Sequence, residues 1–295
     1  IHQGIKSILS KTSENVAVIG FDPSASNLPS ETVKSLYSYS FDAWTDGMNE
    51  VTATSLYALS IQIFMDKTGL NENDLANLTI NNRNNACLNP CAHLKLKHTH
   101  EEIINSPLIS SPYRRLHCSP LSDGAASIIL SNKTTSKRKT APSIIGIGSA
   151  NDKVNLGARD EMGEFISKKH AMKKACQMAQ ILPSKIGFAE VYDAYAGAQF
   201  QAINALGLSD NFLKDFRDGV FNLDGKLPIN ISGGLMGQGA PVGATGVGQT
   251  VTCAMILEGN YHEKLQISSI PKYALADTHG GVGTNSAVSI LEGNI

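Results

Sequence analysis

Residues 230–249 read NISGGLMGQGAPVGATGVGQ, and seven of these twenty residues are glycine. Glycine adopts positive φ at little cost and lets a ligand approach the backbone closely. Pro241, Ala244, Thr245 and Gln249 suit the first turns of a helix, whose unpaired N–H groups attract anions and oxyanions. The stretch therefore predicts an active-site loop that leads into a helix, with a glycine-rich surface turn as the alternative.

The composition is that of a globular protein with a large core, because 42% of the 295 residues are hydrophobic. The 25 basic and 26 acidic side chains leave a net charge of −1, so no field would attract nucleic acid or an anionic membrane. No run of about eighteen apolar residues and no signal-peptide pattern occurs, and we expect an intracellular, cytoplasmic protein without a membrane span. The five cysteines are an odd number, which favours free thiols.

Cys87 and Cys91 are followed by His93, His98 and His100, and these residue types can bind zinc. Their spacing matches no standard zinc knuckle or ribbon. We therefore expect no metal cofactor at these residues.

Hydrophobic periodicity divides the chain into alternating helices and strands, which indicates an α/β architecture. The predicted helices lie before residue 16 and at 51–68, 71–84, 165–182, 194–206 and 242–258. The predicted strands lie at 16–20, 123–130, 143–148, 186–191, 273–276 and 287–291. The helix over 242–258 has no polar face, so we expect it to be buried between two sheets.

Four stretches of the sequence resemble motifs of the thiolase superfamily. Residues 230–249 follow the family's glycine-rich pattern N-x-S-G-G-x-x-x-x-G-H-P-x-G-A-T-G. Three further motifs accompany it in the family's order: Ser119–Ala126, Glu190–Tyr195 and His279–Gly283. The last two correspond to an H-D-x-F motif and a terminal H-G-x-G loop, which makes the chain similar to archaeal and sterol-carrier-protein thiolases.

The resemblance implies the thiolase fold, in which two similar α/β halves, each with a five-stranded mixed sheet, form five αβαβα layers. Two helices are buried between the sheets, and a loop domain covers the acyl-CoA site. Residues 1–140 would form the N-terminal half, with the loop domain at about 28–116, and residues 141–295 the C-terminal half. The polar stretch Ser131–Pro142 is the predicted linker. The family's opening strands and its nucleophilic cysteine are expected just upstream of Ile1.

The resemblance also implies catalytic roles, and the sequence departs from two of them. Thiolases use a cysteine nucleophile, a histidine that activates it, a second acid/base group and oxyanion holes. Ala240 replaces the activating histidine, and Tyr192 replaces the histidine of the H-D-x-F motif. A phenol donates hydrogen bonds but is a poor base near pH 7. His279 is the best remaining acid/base candidate, and a histidine that only bonds loop carbonyls is the alternative.

Coenzyme A, as the acyl-CoA substrate, is the implied ligand. Ser119 aligns with the serine that contacts the pantetheine arm in thiolases. The other expected lining residues belong to the glycine-rich motif and the terminal loop: Gly233, Gly234, Gly239, Ala240 and Gly281. Asp193 and Glu190 are expected to accept backbone N–H groups rather than to act as bases. Cys118 does not align with the family's nucleophile.

Three functions follow from this pattern. The first is a thiolase-like acyltransferase that makes or breaks a C–C bond in a 3-ketoacyl-CoA. The second is a thiolase-like retro-aldolase that cleaves a β-hydroxyacyl-CoA with the help of Tyr192. The third is a catalytically inactive thiolase-fold subunit. The resemblance implies a homo-oligomer or a hetero-oligomer with another thiolase-type subunit, and a small zinc-ribbon and OB-fold protein as a possible further partner.

Overall fold

The computed structural model describes residues 1–49, 51–132 and 140–294. Its helices are α1 (His2–Leu9), α2 (Ser24–Asn27), α3 (Ser30–Ser38), α4 (Ala53–Thr68), α5 (Glu72–Leu88), α6 (His100–Ile104), α7 (Ile166–Ala179), α8 (Ala196–Ala205), α9 (Phe212–Arg217), α10 (Gly234–Gln238) and α11 (Thr245–Leu257). Its strands are β1 (Asn15–Asp22), β2 (Leu108–Ser110), β3 (Tyr113–Arg114), β4 (Gly124–Ser131), β5 (Ser143–Asn151), β6 (Phe188–Glu190), β7 (Tyr273–Gly280) and β8 (Asn285–Glu292). Of the predicted linker Ser131–Pro142, residues 133–139 lie outside the described ranges.

Capping interactions determine where helices α4 and α5 begin and where α4 ends. A capping box joins Thr52 and Ser55 at the start of α4, and Gly69 ends that helix in the left-handed region with φ 76°. A second capping box joins Asn71 and Asp74 at the start of α5. The helix α5 then packs along α10, the short helix inside the glycine-rich stretch.

The strands that carry the site form two sheets. Strands β1 and β4 pair antiparallel, with Asn15 opposite Ser131 and Asp22 opposite Gly124. The second sheet has the order β5-β8-β7-β6, in which β6 and β7 are parallel and the other pairs antiparallel. Five strands were expected in each sheet. In the described part of the chain the first sheet has two strands, because the residues between β1 and β4 form helices and the separate β2–β3 hairpin. The second sheet has four there, because Ile229 pairs with Ala189 of β6 only through an isolated bridge.

Helices α1 and α11 lie between the two sheets, as the apolar character of the 242–258 stretch predicted. A Cβ at Gly20 would lie 2.6 Å from the carbonyl oxygen of Gly243, so glycine is what lets β1 approach the start of α11. On β7, Ala274 and Ala276 face α11, while Leu275 packs in the core with α7. The first sheet, α1 with α11, the second sheet and α7 therefore form four successive layers, which are four of the five in the expected αβαβα arrangement.

Among the predicted boundaries that differ from the structure, two lie at the candidate site. The last predicted helix begins at Thr245 rather than at residue 242, because the carbonyl of Pro241 accepts the N–H groups of both Ala244 and Thr245 in a turn before the helix. The strand predicted at 273–276 continues to Gly280, because His279 and Gly280 pair with Ser286 and Asn285 of β8. His279 therefore lies at the end of a strand and not in a loop. Among the described residues, no helix is long and apolar enough to cross a membrane.

Candidate functional site

Three motif positions that are far apart in sequence meet in one buried cluster. Tyr192, Leu235 and Ala240 pack together, which places the two departures from the family pattern side by side. The rings of Tyr192 and His279 lie 4.3 Å apart between centroids, with an angle of 47° between their planes. Each of these side chains is at most 8% exposed. The cluster Tyr192–Ala240–His279 is the candidate catalytic site.

Hydrogen bonds determine which nitrogen of His279 carries the proton. The hydroxyl of Tyr57, on α4, lies 2.8 Å from the carbonyl oxygen of Gly281 and 2.5 Å from Nε2 of His279. A carbonyl only accepts, so Tyr57 donates its single proton to Gly281 and accepts from His279. His279 is therefore protonated at Nε2. Its Nδ1 keeps a free lone pair and has no partner among the described residues.

The surroundings keep the His279 ring neutral. Burial lowers its pKa well below the ordinary value of 6.5, and the positive charges of Lys168 and Arg159 lower it further. Lys168 is itself fully buried and pairs with Asp277, which lies two residues before His279 on the same face of β7. Only the neutral imidazole has a lone pair that can accept a proton, as a general base must, and the burial and positive charges that keep it neutral also make it a weaker base.

Tyr192 is a protonated phenol in this site. Burial is the main cause that raises its pKa above the ordinary value of 10, and its tyrosine and aspartate neighbours raise it further. Tyr57 is also fully buried, and burial raises its pKa well above 10. Both phenols therefore act at neutral pH as hydrogen-bonding groups and not as bases.

The buried carboxyl of Asp193 anchors the glycine-rich loop through hydrogen bonds. Its Oδ1 accepts the N–H of Leu235 at 2.7 Å, and its Oδ2 accepts from the side-chain amide of Asn82 at 2.9 Å. Burial raises the pKa of this carboxyl well above 3.8. The expectation that Asp193 accepts backbone N–H groups is confirmed. Glu190 behaves in the same way, since it accepts the N–H of Ser232 at 3.1 Å.

Gly234 is the glycine on which this arrangement depends most. It has φ +57°, and a Cβ there would lie 2.1 Å from Oδ2 of Asp193. We expect Gly234→Ala to destabilise the fold by about 3 kcal/mol or more, because left-handed backbone strain adds to a clash with a buried carboxyl. Gly69→Ala is the matched control, since Gly69 also has positive φ but open space around it. Its cost should be about 1 kcal/mol. If urea unfolding gives Gly234→Ala and Gly69→Ala the same loss of unfolding free energy, the contact with Asp193 does not determine the cost at Gly234.

Ser119 and Ala240, two of the residues expected at the coenzyme A site, are connected through Ser122. The N–H of Ser119 donates to the carbonyl of Ala194 at 2.9 Å, and the Ser119 hydroxyl has no partner among the described residues. Ser122 accepts the N–H of Ala240 at 3.3 Å. The remaining expected residues are glycines with positive φ: Gly233, Gly234, Gly239 and Gly281. Ser119 and the glycine-rich loop are thus joined through the residues between Ser119 and Ser122.

Glu190 is a buried carboxyl next to this loop. Its two oxygens accept the N–H and the hydroxyl of Ser232, the latter at 2.6 Å. Burial outweighs these bonds and raises its pKa from 4.5 to about 7. The folded protein therefore binds more protons than the unfolded chain between about pH 4.5 and pH 7.

The sign of the resulting pH dependence is fixed, because stability falls as pH rises wherever the folded state holds the extra proton. We expect Glu190→Gln to gain stability relative to the wild type as pH rises from 4.5 to 8, by up to about 3 kcal/mol. Urea unfolding across that pH range measures the difference. The exposed Glu31→Gln, on α3, is the matched control. A difference that stays constant across the range would contradict the raised pKa.

Several residues of the site carried no signal in the sequence. Tyr57, Lys168 and Asp277 lie outside the four motifs, and their contacts with His279 or with each other depend on tertiary packing. The cysteines are free thiols, as expected. Burial raises the pKa of Cys118 to about 12, and its thiol donates to the carbonyl of Arg114. Among the described residues, no group of three or more His, Cys, Asp or Glu side chains is arranged to hold a metal ion.

Comparisons with known proteins agree with the motifs. Residues 148–293 match the family described as Thiolase C-terminal domain-like. The chain is 32% identical over 247 residues to the acetyl-CoA acetyltransferase of Methanothermobacter thermautotrophicus, which covers 82% of this chain and 63% of that protein. It is 30% identical over 306 aligned positions to the acetyl-CoA acetyltransferase of Methanocaldococcus jannaschii, which covers 99% of this chain and 76% of that protein.

A solved structure shows the same fold. The Ltp2-ChsH2(DUF35) aldolase superposes with a TM-score of 0.84 at 19% identity, over 99% of this chain and 76% of that chain. At this identity the likeness concerns the fold alone. The chain thus spans less than two thirds of the length of the first relative above and about three quarters of that of the second relative and of the solved structure.

Proposed function

Because the chain belongs to the thiolase family, we propose that it acts on coenzyme A thioesters and makes or breaks a C–C bond in a 3-ketoacyl-CoA. The observation that carries the proposal is the state of His279. This residue is neutral, protonated at Nε2 and without a partner at Nδ1 among the described residues. Its ring lies 4.3 Å from that of Tyr192, which packs with Leu235 and Ala240 of the glycine-rich loop that distinguishes the family. Such an imidazole can take a proton from the carbon beside a thioester carbonyl and return it.

The backbone of the glycine-rich loop supports the other half of this chemistry. Removing the α-proton of a thioester leaves negative charge on the thioester oxygen, and oriented N–H donors stabilise that charge. We assign this role to the first-turn N–H groups of α11 that follow Thr245, together with the phenol of Tyr192 as a further donor. The N–H groups of Gly239, Ala240, Gly243, Ala244 and Thr245 already donate within the protein. Ser119, whose hydroxyl is unpaired among the described residues, is assigned to the pantetheine arm.

A retro-aldolase is the second candidate, and one observation favours it. The position of the family's activating histidine is Ala240, which cannot move a proton, while the phenol of Tyr192 lies against both Ala240 and His279. Retro-aldol cleavage needs an acid/base pair and a stabilised enolate but no activated cysteine. His279 and Tyr192 are sufficient for such a pair.

Product analysis separates the two reactions. We expect the protein to convert 3-oxohexanoyl-CoA and free coenzyme A into butanoyl-CoA and acetyl-CoA, as followed by liquid chromatography and mass spectrometry. A retro-aldolase would instead convert 3-hydroxyhexanoyl-CoA into butanal and acetyl-CoA without consuming coenzyme A. No product from either substrate would support the inactive-subunit alternative.

We further propose that the protein works as an oligomer, as the resemblance implies, either with itself, with another thiolase-type subunit or with a small zinc-ribbon and OB-fold protein. The outer face of the first sheet supports a protein partner, because Ile19, Phe21 and Ile129 lie there at 67%, 66% and 75% exposure. Light scattering after size exclusion measures the mass of the assembly. A monomer that co-purifies with no other protein would contradict the proposal.

A further inference from the structure

A cavity of about 210 Å³ lies beside the glycine-rich loop, and His279 is not among its lining residues. Its walls come from the loop, from the first residues of β4 and from the first two turns of α11. Most of the lining residues are small, among them Gly234, Gly239, Gly248 and Ala126. An aliphatic group can therefore lie against these walls without displacing a large side chain.

One side chain in the wall has unused hydrogen-bonding capacity. Gln249 is only 6% exposed, and neither its Nε2 nor its Oε1 has a partner among the described residues. The nearby hydroxyls are already committed, since Ser232 donates to Glu190 and Thr245 donates to the carbonyl of Pro241. Leaving a buried donor or acceptor unpaired costs about 1–3 kcal/mol. A ligand group that forms hydrogen bonds with this amide would remove that cost.

The amide specifies the chemistry of that group. A keto oxygen only accepts, and it would leave Oε1 of Gln249 unpaired. A hydroxyl both donates and accepts, so it satisfies Oε1 and Nε2 together. The carboxyl of Glu190 lies in the same wall, and the fraction of it that is ionised near pH 7 disfavours an anionic group there. The complementary ligand is therefore neutral, largely aliphatic, and carries a hydroxyl.

The volume limits the size of the ligand. A cavity of about 150 Å³ accommodates benzene, so one of about 210 Å³ accommodates roughly eight non-hydrogen atoms. A hydroxylated six-carbon acyl group has this size. Its thioester end would lie towards the loop residues Gly234 and Gly239, which line both this cavity and the proposed coenzyme A site.

We propose that this cavity binds a hydroxyl-bearing acyl group of a coenzyme A thioester and that Gln249 recognises the hydroxyl. The proposal rests on the proposed function in one respect, namely that the ligand is a coenzyme A thioester. It goes further by assigning the acyl pocket, the residue that determines specificity and the substituent that this residue selects.

Isothermal titration of the full chain tests the assignment with four ligands: free coenzyme A, hexanoyl-CoA, 3-oxohexanoyl-CoA and 3-hydroxyhexanoyl-CoA. We expect the wild type to bind the hydroxy thioester about ten-fold more tightly than the other two thioesters. Gln249→Met keeps the size of the side chain but cannot pair with a hydroxyl. It should abolish the ten-fold preference, so that the three thioesters bind with similar affinity. Chromatography of the recovered ligands verifies that they remain intact.

Two further variants serve as controls. Gln62→Met makes the same substitution at an exposed position of α4 and should keep the preference. Gly248→Met places a side chain in the cavity wall and should weaken all three thioesters relative to free coenzyme A. It tests the pocket independently of whether Gln249→Met folds.

The outcomes separate this inference from the proposed function. If free coenzyme A binds but the wild type shows no preference for the hydroxy thioester, or if Gln249→Met retains that preference, the assignment of the cavity is wrong and the proposed function stands. If neither coenzyme A nor any thioester binds, the proposed function fails and the assignment fails with it.

Discussion

His279→Ala is expected to lower the rate of C–C bond cleavage or formation at least ten-fold, and by as much as about 10²–10⁴ if His279 is the general base. The reason is geometric as well as chemical. The substitution removes the lone pair of Nδ1, while the glycine-rich loop is held by separate contacts from Asp193 and Ser122. Steady-state kinetics give the loss in kcat, and circular dichroism verifies that the variant is folded.

Tyr57→Phe is the matched variant for this prediction. It keeps the imidazole but removes the acceptor that fixes the proton on Nε2, together with the bond to the carbonyl of Gly281. We expect a loss about ten-fold smaller than that of His279→Ala, because the base remains but its tautomer and orientation are no longer fixed. An unchanged kcat in His279→Ala would remove His279 from the mechanism.

Lys168→Met is expected to destabilise the fold by about 3–5 kcal/mol, because it leaves the carboxylate of Asp277 buried without a counter-charge. Both side chains of this pair are completely buried. Asp277 Oδ2 also accepts the N–H of Tyr192 at 3.4 Å, so the pair connects α7, β7 and the residue that packs on His279. Urea unfolding of the variant against the wild type measures the loss.

The double variant Lys168→Met with Asp277→Leu distinguishes charge burial from lost packing. It should recover much of the lost stability, since replacing both members of a buried pair by apolar residues is often neutral. The exposed pair Lys214–Asp218 on α9 is the control, and Lys214→Met should change stability little. A loss in Lys168→Met no larger than that of Lys214→Met would contradict the account of the buried pair.

Much of the fold was predictable because motifs, hydrophobic periodicity and helix caps can each be recognised in a short stretch of sequence. The glycine-rich stretch and its three companion motifs identified the family, and the apolar helix over 242–258 was correctly placed between two sheets. The capping boxes of α4 and α5 explain why those helices begin close to the predicted positions. The end of β7 was not predicted, since the pairing of His279 with Ser286 depends on the register of a hairpin.

The site was predictable only in part. Tyr192, Ala240 and His279 were selected as motif positions, and the structure brings them together. Their electrostatic environment was not predictable, because Tyr57 lies 222 residues from His279 in sequence and Lys168 lies 109 residues from Asp277. Gln249 was read from the sequence only as part of a helix start. Its importance follows from burial and from its missing partners, neither of which a local pattern records.

The most direct test of the central claim is the exchange of α-protons, because it isolates the step assigned to His279 from every later step. Acetyl-CoA is incubated with the protein in D₂O, and deuterium in the acetyl group is measured by mass spectrometry. We predict incorporation with the wild type and a rate at least ten-fold lower with His279→Ala. No incorporation above the protein-free rate, or equal rates for the two proteins, would contradict the claim that His279 moves the α-proton of a coenzyme A thioester.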